Sequence, residues 1–88
     1  MYRANPDVIS AIVGDEAVLL LPSDGTYFGL NAVAARTWQL LGEGRSPSNV
    51  IEVLLAEFDV ERETLQRDIQ ALLGRLTELN LVEEAPQS

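Results

Sequence analysis

Between residues 8 and 29 the apolar side chains fall in short dense runs separated by turn-forming pairs, and from residue 30 onward they recur every three or four positions. The first regime predicts strands and the second predicts helices. Residues 8–13, Val-Ile-Ser-Ala-Ile-Val, are rich in β-branched side chains and stop at Gly14-Asp15, a pair suited to a tight turn. Residues 17–21 resume the apolar run, so these two segments are expected to form an antiparallel hairpin. Pro22 closes the second run and Ser23-Asp24-Gly25 turns the chain again. Thr26, Tyr27, Phe28 and Gly29 then form a short third strand, expected at an edge of the sheet.

After Leu30 the period lengthens. Leu30, Ala34, Trp38 and Leu41 share one helical stripe behind Asn31, a good N-cap, which predicts a first helix over 32–41. Gly42-Glu43-Gly44-Arg45 breaks it, and Ser46-Pro47 repeats the start signal, because serine caps and proline is preorganised for the first helical position. The second helix carries Val50, Ile51, Leu54, Leu55 and Phe58 on one face and ends near Phe58. Asp59 is the expected cap of a third, longer helix with the stripe Leu65, Ile69, Leu72, Leu76 and Leu79, which places Leu73 toward the stripe's edge. Gly74 lies inside that helix and is expected to mark a close backbone approach or a slight bend. Leu81-Val82 either adds a last strand or covers the core.

The fold class is therefore α+β: a three-stranded antiparallel sheet followed by three helices, in one domain over 1–88 with 1–6 and 84–88 frayed. No stretch approaches the roughly 20 apolar residues of a membrane span, and the polar start lacks a signal-peptide core, so a cytoplasmic protein is expected.

Composition removes most catalytic options. Cysteine and histidine are absent, which excludes disulfides, thiolate nucleophiles, imidazole bases and the zinc sites built from them. All six cationic side chains are arginine, so lysine Schiff-base chemistry is excluded too. The acidic pairs Glu61/Glu63 and Glu83/Glu84 sit on a helix start and a tail rather than in a cleft, so they read as solvated charge and not as an acid/base pair. Asp15-Glu16 and Ser23-Asp24 lack the loop spacing of a hard-cation site, and no phosphate loop is spelled. No catalytic residue, cofactor or metal is expected.

A binding role fits the pattern better. Tyr27 and Phe28 are adjacent on a strand, so they must face opposite sides of the sheet and only one enters the core. Trp38 shares the stripe of Ala34 and Leu41 and reads as core. An edge strand beside a long apolar helix lets an extended peptide add as a further strand while its alternate side chains enter apolar pockets.

The run Tyr27-Phe28-Gly29-Leu30-Asn31, followed by Ala34, Ala35, Thr37-Trp38 and Leu41, resembles the PqqD-like family of peptide chaperones, and the likeness extends over most of the chain. The resemblance implies a winged helix-turn-helix-like shape and a role as recognition element for ribosomally made, post-translationally modified peptides. It implies that Thr26, Tyr27, Phe28 and Gly29 pair with a leader peptide and that the third helix, through Asp68, Ile69, Leu72, Leu73, Arg75 and Leu76, forms the opposite wall. Arg67 or Arg75 would bond carboxylates of the leader if either borders the groove. Leu30, Asn31 and Trp38 would be structural. The short acidic chain is similar to the stand-alone recognition proteins of lasso peptide clusters, which implies a separate leader peptidase, or another tailoring enzyme, as second partner.

Two rival classes remain at this point, a winged-helix DNA-binding protein and a plain adaptor or dimerisation domain. The net charge of −8 weighs against the first. Residues 52–84, which would include a recognition helix, hold nine carboxylates against three arginines, whereas phosphate contacts require the reverse.

Overall fold

The computed structural model describes residues 2–84. The chain runs β1 (Tyr2–Ala4), β2 (Ile9–Val13), β3 (Glu16–Leu21), β4 (Thr26–Leu30), α1 (Ala32–Gly42), α2 (Pro47–Glu57), α3 (Arg62–Glu78) and β5 (Val82–Glu84). The strands β2, β3 and β4 form an antiparallel sheet in that order, as the alternating runs and turn pairs predict. Its first turn is the two-residue loop Gly14-Asp15, with Gly14 at φ 65°. A positive φ at the first loop residue is what a type II′ hairpin requires, and glycine supplies it without steric cost.

The chain ends depart from expectation. Instead of fraying, β1 pairs antiparallel with β5, bringing Tyr2 opposite Glu84 and Ala4 opposite Val82. Arg3 adds an ion pair to Glu83 at 3.0 Å, and the Asn5 side chain donates to the Asn80 carbonyl at 2.8 Å. Residues 85–88, also expected to fray, lie outside the described residues.

The helix starts follow their caps in two cases of three. The Asn31 side chain accepts from the Ala34 N–H at 2.9 Å, and Ser46 accepts from the Asn49 N–H at 3.2 Å with Pro47 in the first turn. The third start differs. Asp59 does not cap α3; Glu61 holds the cap position with no side-chain bond, and the helix begins at Arg62. The intervening Asp59-Val60 stays outside both helices, with the Val60 N–H donating to the Phe58 carbonyl at 3.1 Å.

Two apolar clusters hold these elements. One lies under the sheet, where Ala17, Leu19, Leu21 and Leu30 meet Ala35, Leu76, Leu81 and Val82. The other lies between the helices and contains Leu40, Leu41, Val50, Leu54, Leu65, Ile69 and Leu73. Tyr2 packs against both, so the first strand joins the two halves.

Helix faces are rotated from the expected stripes. In α1 the buried residues are Ala35, Thr37, Leu40 and Leu41, while Ala34 and Trp38 are half-buried at the edge of the sheet cluster. In α3 Leu73 is buried and Leu72 only half-buried, the reverse of the expected order. Gly74 is exposed, and a Cβ there would meet nothing within 4 Å, so no backbone approaches it. Among the described residues no helix is long and apolar enough to cross a membrane.

Candidate functional site

The pairing register determines which backbone groups the sheet leaves open. A two-residue loop makes Val13 and Glu16 the closing hydrogen-bonded pair, and such pairs alternate along an antiparallel ladder. Val18 and Leu20 therefore direct their backbone groups at β2, and Leu19 and Leu21 direct theirs at β4. Leu19 is opposite Phe28, Leu21 opposite Thr26 and Ala17 opposite Leu30, so Thr26, Phe28 and Leu30 are turned toward β3. The N–H and C=O groups of Tyr27 and Gly29 point the other way, to an edge with which no strand pairs among the described residues.

Side chains alternate across the same strand. Thr26, Phe28 and Leu30 stand on the helix side, half-buried, half-buried and buried in turn. Tyr27 stands on the opposite side and is 72% exposed.

Beside the open edge lies a groove of about 470 Å³. Phe28 and Gly29 border it on the strand side, Asp68, Ile69, Ala71, Leu72 and Arg75 of α3 form its far wall, and Val33, Ala34 and Thr37 of α1 line it between them. Val60, Thr64 and Leu65 close one end. No Cα of the strand comes within 8 Å of one in α3, so their backbones stay apart and a gap remains between them. Small residues at 34 and 71 deepen it. Thr37 presents little polarity to it, because its hydroxyl donates to the Val33 carbonyl at 2.8 Å. A groove lined in this way takes apolar side chains, with polar groups at the margin to orient them. The margin is supplied by α3: Asp68 is exposed, and Arg75 is exposed with an ion pair to Glu78 at 3.2 Å.

Of the ten residues expected to bind peptide, the structure gathers Phe28, Gly29, Asp68, Ile69, Leu72 and Arg75 around this groove. Thr26 and Tyr27 do not line it, although Tyr27 contributes backbone groups to the edge. Leu73 lies in the interhelical cluster and Leu76 is fully buried beneath the sheet, so both belong to the core rather than the wall. Arg75 borders the groove and Arg67 does not. The residues of α1 and Val60 were not expected. The i, i+4 spacing of Val33 and Thr37 was the available signal for a second face on that helix.

The nearby ion pairs brace the helices rather than the groove. Arg36 of α1 holds Glu57 at the end of α2, both oxygens engaged at 2.8 Å, and Arg62 of α3 holds Glu52 of α2. Hydrogen bonding to the guanidinium lowers the Glu52 and Glu57 carboxyls from their ordinary values, and the same bonds raise Arg36 and Arg62. Among the described residues no cluster of acidic side chains is arranged to hold a metal ion.

An open strand edge beside an apolar groove defines a class of small α+β domain equipped to take up an extended chain. Residues 16–82 match the family described as Coenzyme PQQ synthesis protein D (PqqD), and the chain belongs to that family. Two solved structures are similar over nearly the whole length. "TbiB1 in Complex with the TbiA(beta) Leader Peptide" is 40% identical, with a TM-score of 0.85 over 97% of this chain and 99% of that one. "Lasso peptide synthetase B1 complexed with the leader peptide" is 36% identical, with a TM-score of 0.83 over 94% and 98%. No curated protein sequence matches.

Proposed function

We propose that this chain is a non-catalytic recognition domain that binds the leader segment of a ribosomally synthesised precursor peptide, as a strand added to β4, and presents it to a processing enzyme such as a leader peptidase in lasso peptide biosynthesis. The observation that carries this reading is the free edge at Tyr27 and Gly29 directly beside the groove walled by α3. The two similar structures support it, since each is described as a complex with a leader peptide.

The mechanism follows from the geometry. The guest strand exchanges N–H and C=O bonds with Tyr27 and Gly29, which supplies affinity with little dependence on sequence. Its residues alternate between the two faces, so every second side chain turns toward Phe28, Ala34, Ile69 and Leu72, and their apolar burial supplies selectivity. Asp68 and Arg75 stand where the guest's polar groups leave the groove. The DNA-binding alternative finds no support in a chain of net charge −8.

The test is a scan of the co-encoded leader in which each backbone nitrogen is methylated in turn, since methylation deletes one donor and leaves the protein untouched. Affinity read by fluorescence anisotropy is expected to fall by about tenfold or more at alternate positions, those paired with Tyr27 and Gly29, and to change little between them. A flat profile would reject strand addition.

A further inference from the structure

Among the described residues no element covers the face of the sheet turned away from the helices, and that face is apolar. The register sets Ile9, Leu20 and Tyr27 in one row across three strands, with Ala11, Val18 and Gly29 in the next row and Val13 beyond. These are not isolated exposed residues: Ile9 is 56% and Tyr27 72% exposed with the exposed Leu20 between them, and Val13, 68% exposed, lies on the same face of β2. A shallow dip of about 380 Å³ lies at Gly29 where this face meets the start of α1, lined by Val13, Glu16, Val18, Leu30 and Asn31 as well. The strand β2 at the outer side also lacks the charges and prolines that usually protect an edge.

Carboxylates frame the patch at both ends. Asp15 and Glu16 stand at the β2–β3 turn, and Asp7 and Asp24 stand at the opposite end of the strands. Residues 5–31 contain those four carboxylates and no arginine. Two copies of this chain meeting face to face or edge to edge would bring like charges together, which opposes self-association.

The geometry points to the outer face of the β2–β3–β4 sheet as the docking surface for the processing enzyme, through an apolar patch on that enzyme bordered by Lys or Arg side chains. This inference rests on the leader-binding reading, because Tyr27 and Gly29 belong to both surfaces. Their backbone groups meet the guest strand, while the Tyr27 side chain and the dip at Gly29 meet the enzyme. A docked enzyme therefore lies against the edge where the leader is held, and the segment leaving the groove is delivered next to it. Groove and patch share β4 but use opposite faces, so both are occupied at once.

The probe is the purified leader peptidase co-encoded with the chain, titrated with and without the leader. Ile9→Asp and Val13→Asp place new charge in the patch, and the double variant D15K/E16K reverses one end of its frame without touching apolar packing. All three are expected to keep leader affinity within about twofold and to lose about tenfold or more in peptidase affinity. Raising salt from roughly 50 to 300 mM is expected to weaken the wild-type complex with the peptidase. Peptidase affinity unchanged in all three variants overturns the proposal. So does a wild-type dimer in sedimentation that Ile9→Asp converts to monomer, because the patch would then be a self-association face. Failure of the wild-type chain to bind leader would instead reject the groove reading, and the peptidase titration without leader would still decide the patch. Circular dichroism melts exclude misfolding as the cause of any loss.

Discussion

Tyr27 and Phe28 are neighbours in β4 and serve opposite surfaces: Phe28 borders the groove and packs on the sheet cluster, while Tyr27 projects from the uncovered face. Their backbone groups are divided the same way, since those of Phe28 are spent on Leu19 of β3 and those of Tyr27 are open. One dipeptide thus couples the sheet's inner packing, its free edge and its outer face.

This division separates two substitutions. Phe28→Ala removes apolar wall from the groove and is expected to weaken leader binding by about tenfold or more, since even partial loss of a phenyl contact is worth about 1.5 kcal/mol. Tyr27→Ala keeps the backbone donor and acceptor and is expected to leave leader affinity within about twofold. Fluorescence anisotropy with labelled leader distinguishes the two. A loss confined to Tyr27→Ala would mean that the guest strand lies on the outer face.

A second pair of neighbours, Leu72 and Leu73, makes the same point on a helix. Leu72 is half-buried at the groove wall, and Leu73 is buried among Leu40, Val50 and Leu54. Leu73→Asp puts an unpaired carboxylate into the interhelical cluster and is expected to cost more than about 3 kcal/mol, a large part of the stability of a small domain. Leu72→Asp is expected to leave a cooperative melt and to abolish measurable leader binding. Thermal melts and anisotropy on both variants check this, and a native-like melt for Leu73→Asp would contradict the assignment of the two faces.

The contrast also shows what the sequence could convey. Strand runs, turn pairs and the caps Asn31 and Ser46 are local signals, and the three-strand, three-helix order follows from them. The helix faces were less legible. Leu72 and Leu73 are about 100° apart on a helix that is apolar at both positions, so periodicity alone assigns neither to core or groove. The sequence puts Ala34 on the same stripe as the core-reading Trp38, and alanine carries too little pattern of its own to reveal the contribution of α1 to the groove. Of the β1–β5 pair only a last strand at Leu81-Val82 was legible; β1 and the pairing were not, because strands of three residues have no measurable alternation and these two lie at opposite ends of the chain.

That unforeseen pair has a measurable consequence. Tyr2 touches both apolar clusters, and β1 pairs with β5, whose buried Val82 follows directly on the buried Leu81. Tyr2→Ala is expected to destabilise the fold by about 1–3 kcal/mol. For a domain of this size each kcal/mol lowers the melting temperature by roughly 4–8 °C. Leader affinity measured well below the new midpoint is expected to be unchanged, because Tyr2 does not line the groove.

The interhelical ion pairs predict how stability responds to acid. Glu52 and Glu57 are held below the ordinary carboxylate range, each chiefly by hydrogen bonds to its arginine. A carboxyl whose folded value is lowered binds its proton more readily in the unfolded chain, so its contribution is fully present above the unfolded value, about pH 4.3 for Glu, and is lost as pH falls through the folded value. Urea midpoints are therefore expected to be flat from neutral pH down to about 5 and to decline below about 4. Both pairs are solvent-exposed, so the decline from each is modest. The variants E52Q and E57Q keep the size of each side chain but remove its titration. They are expected to start with slightly lower midpoints at pH 7 and to show a shallower fall on acidification. An unchanged acid dependence in both variants would mean that the stability lost in acid comes from other carboxylates.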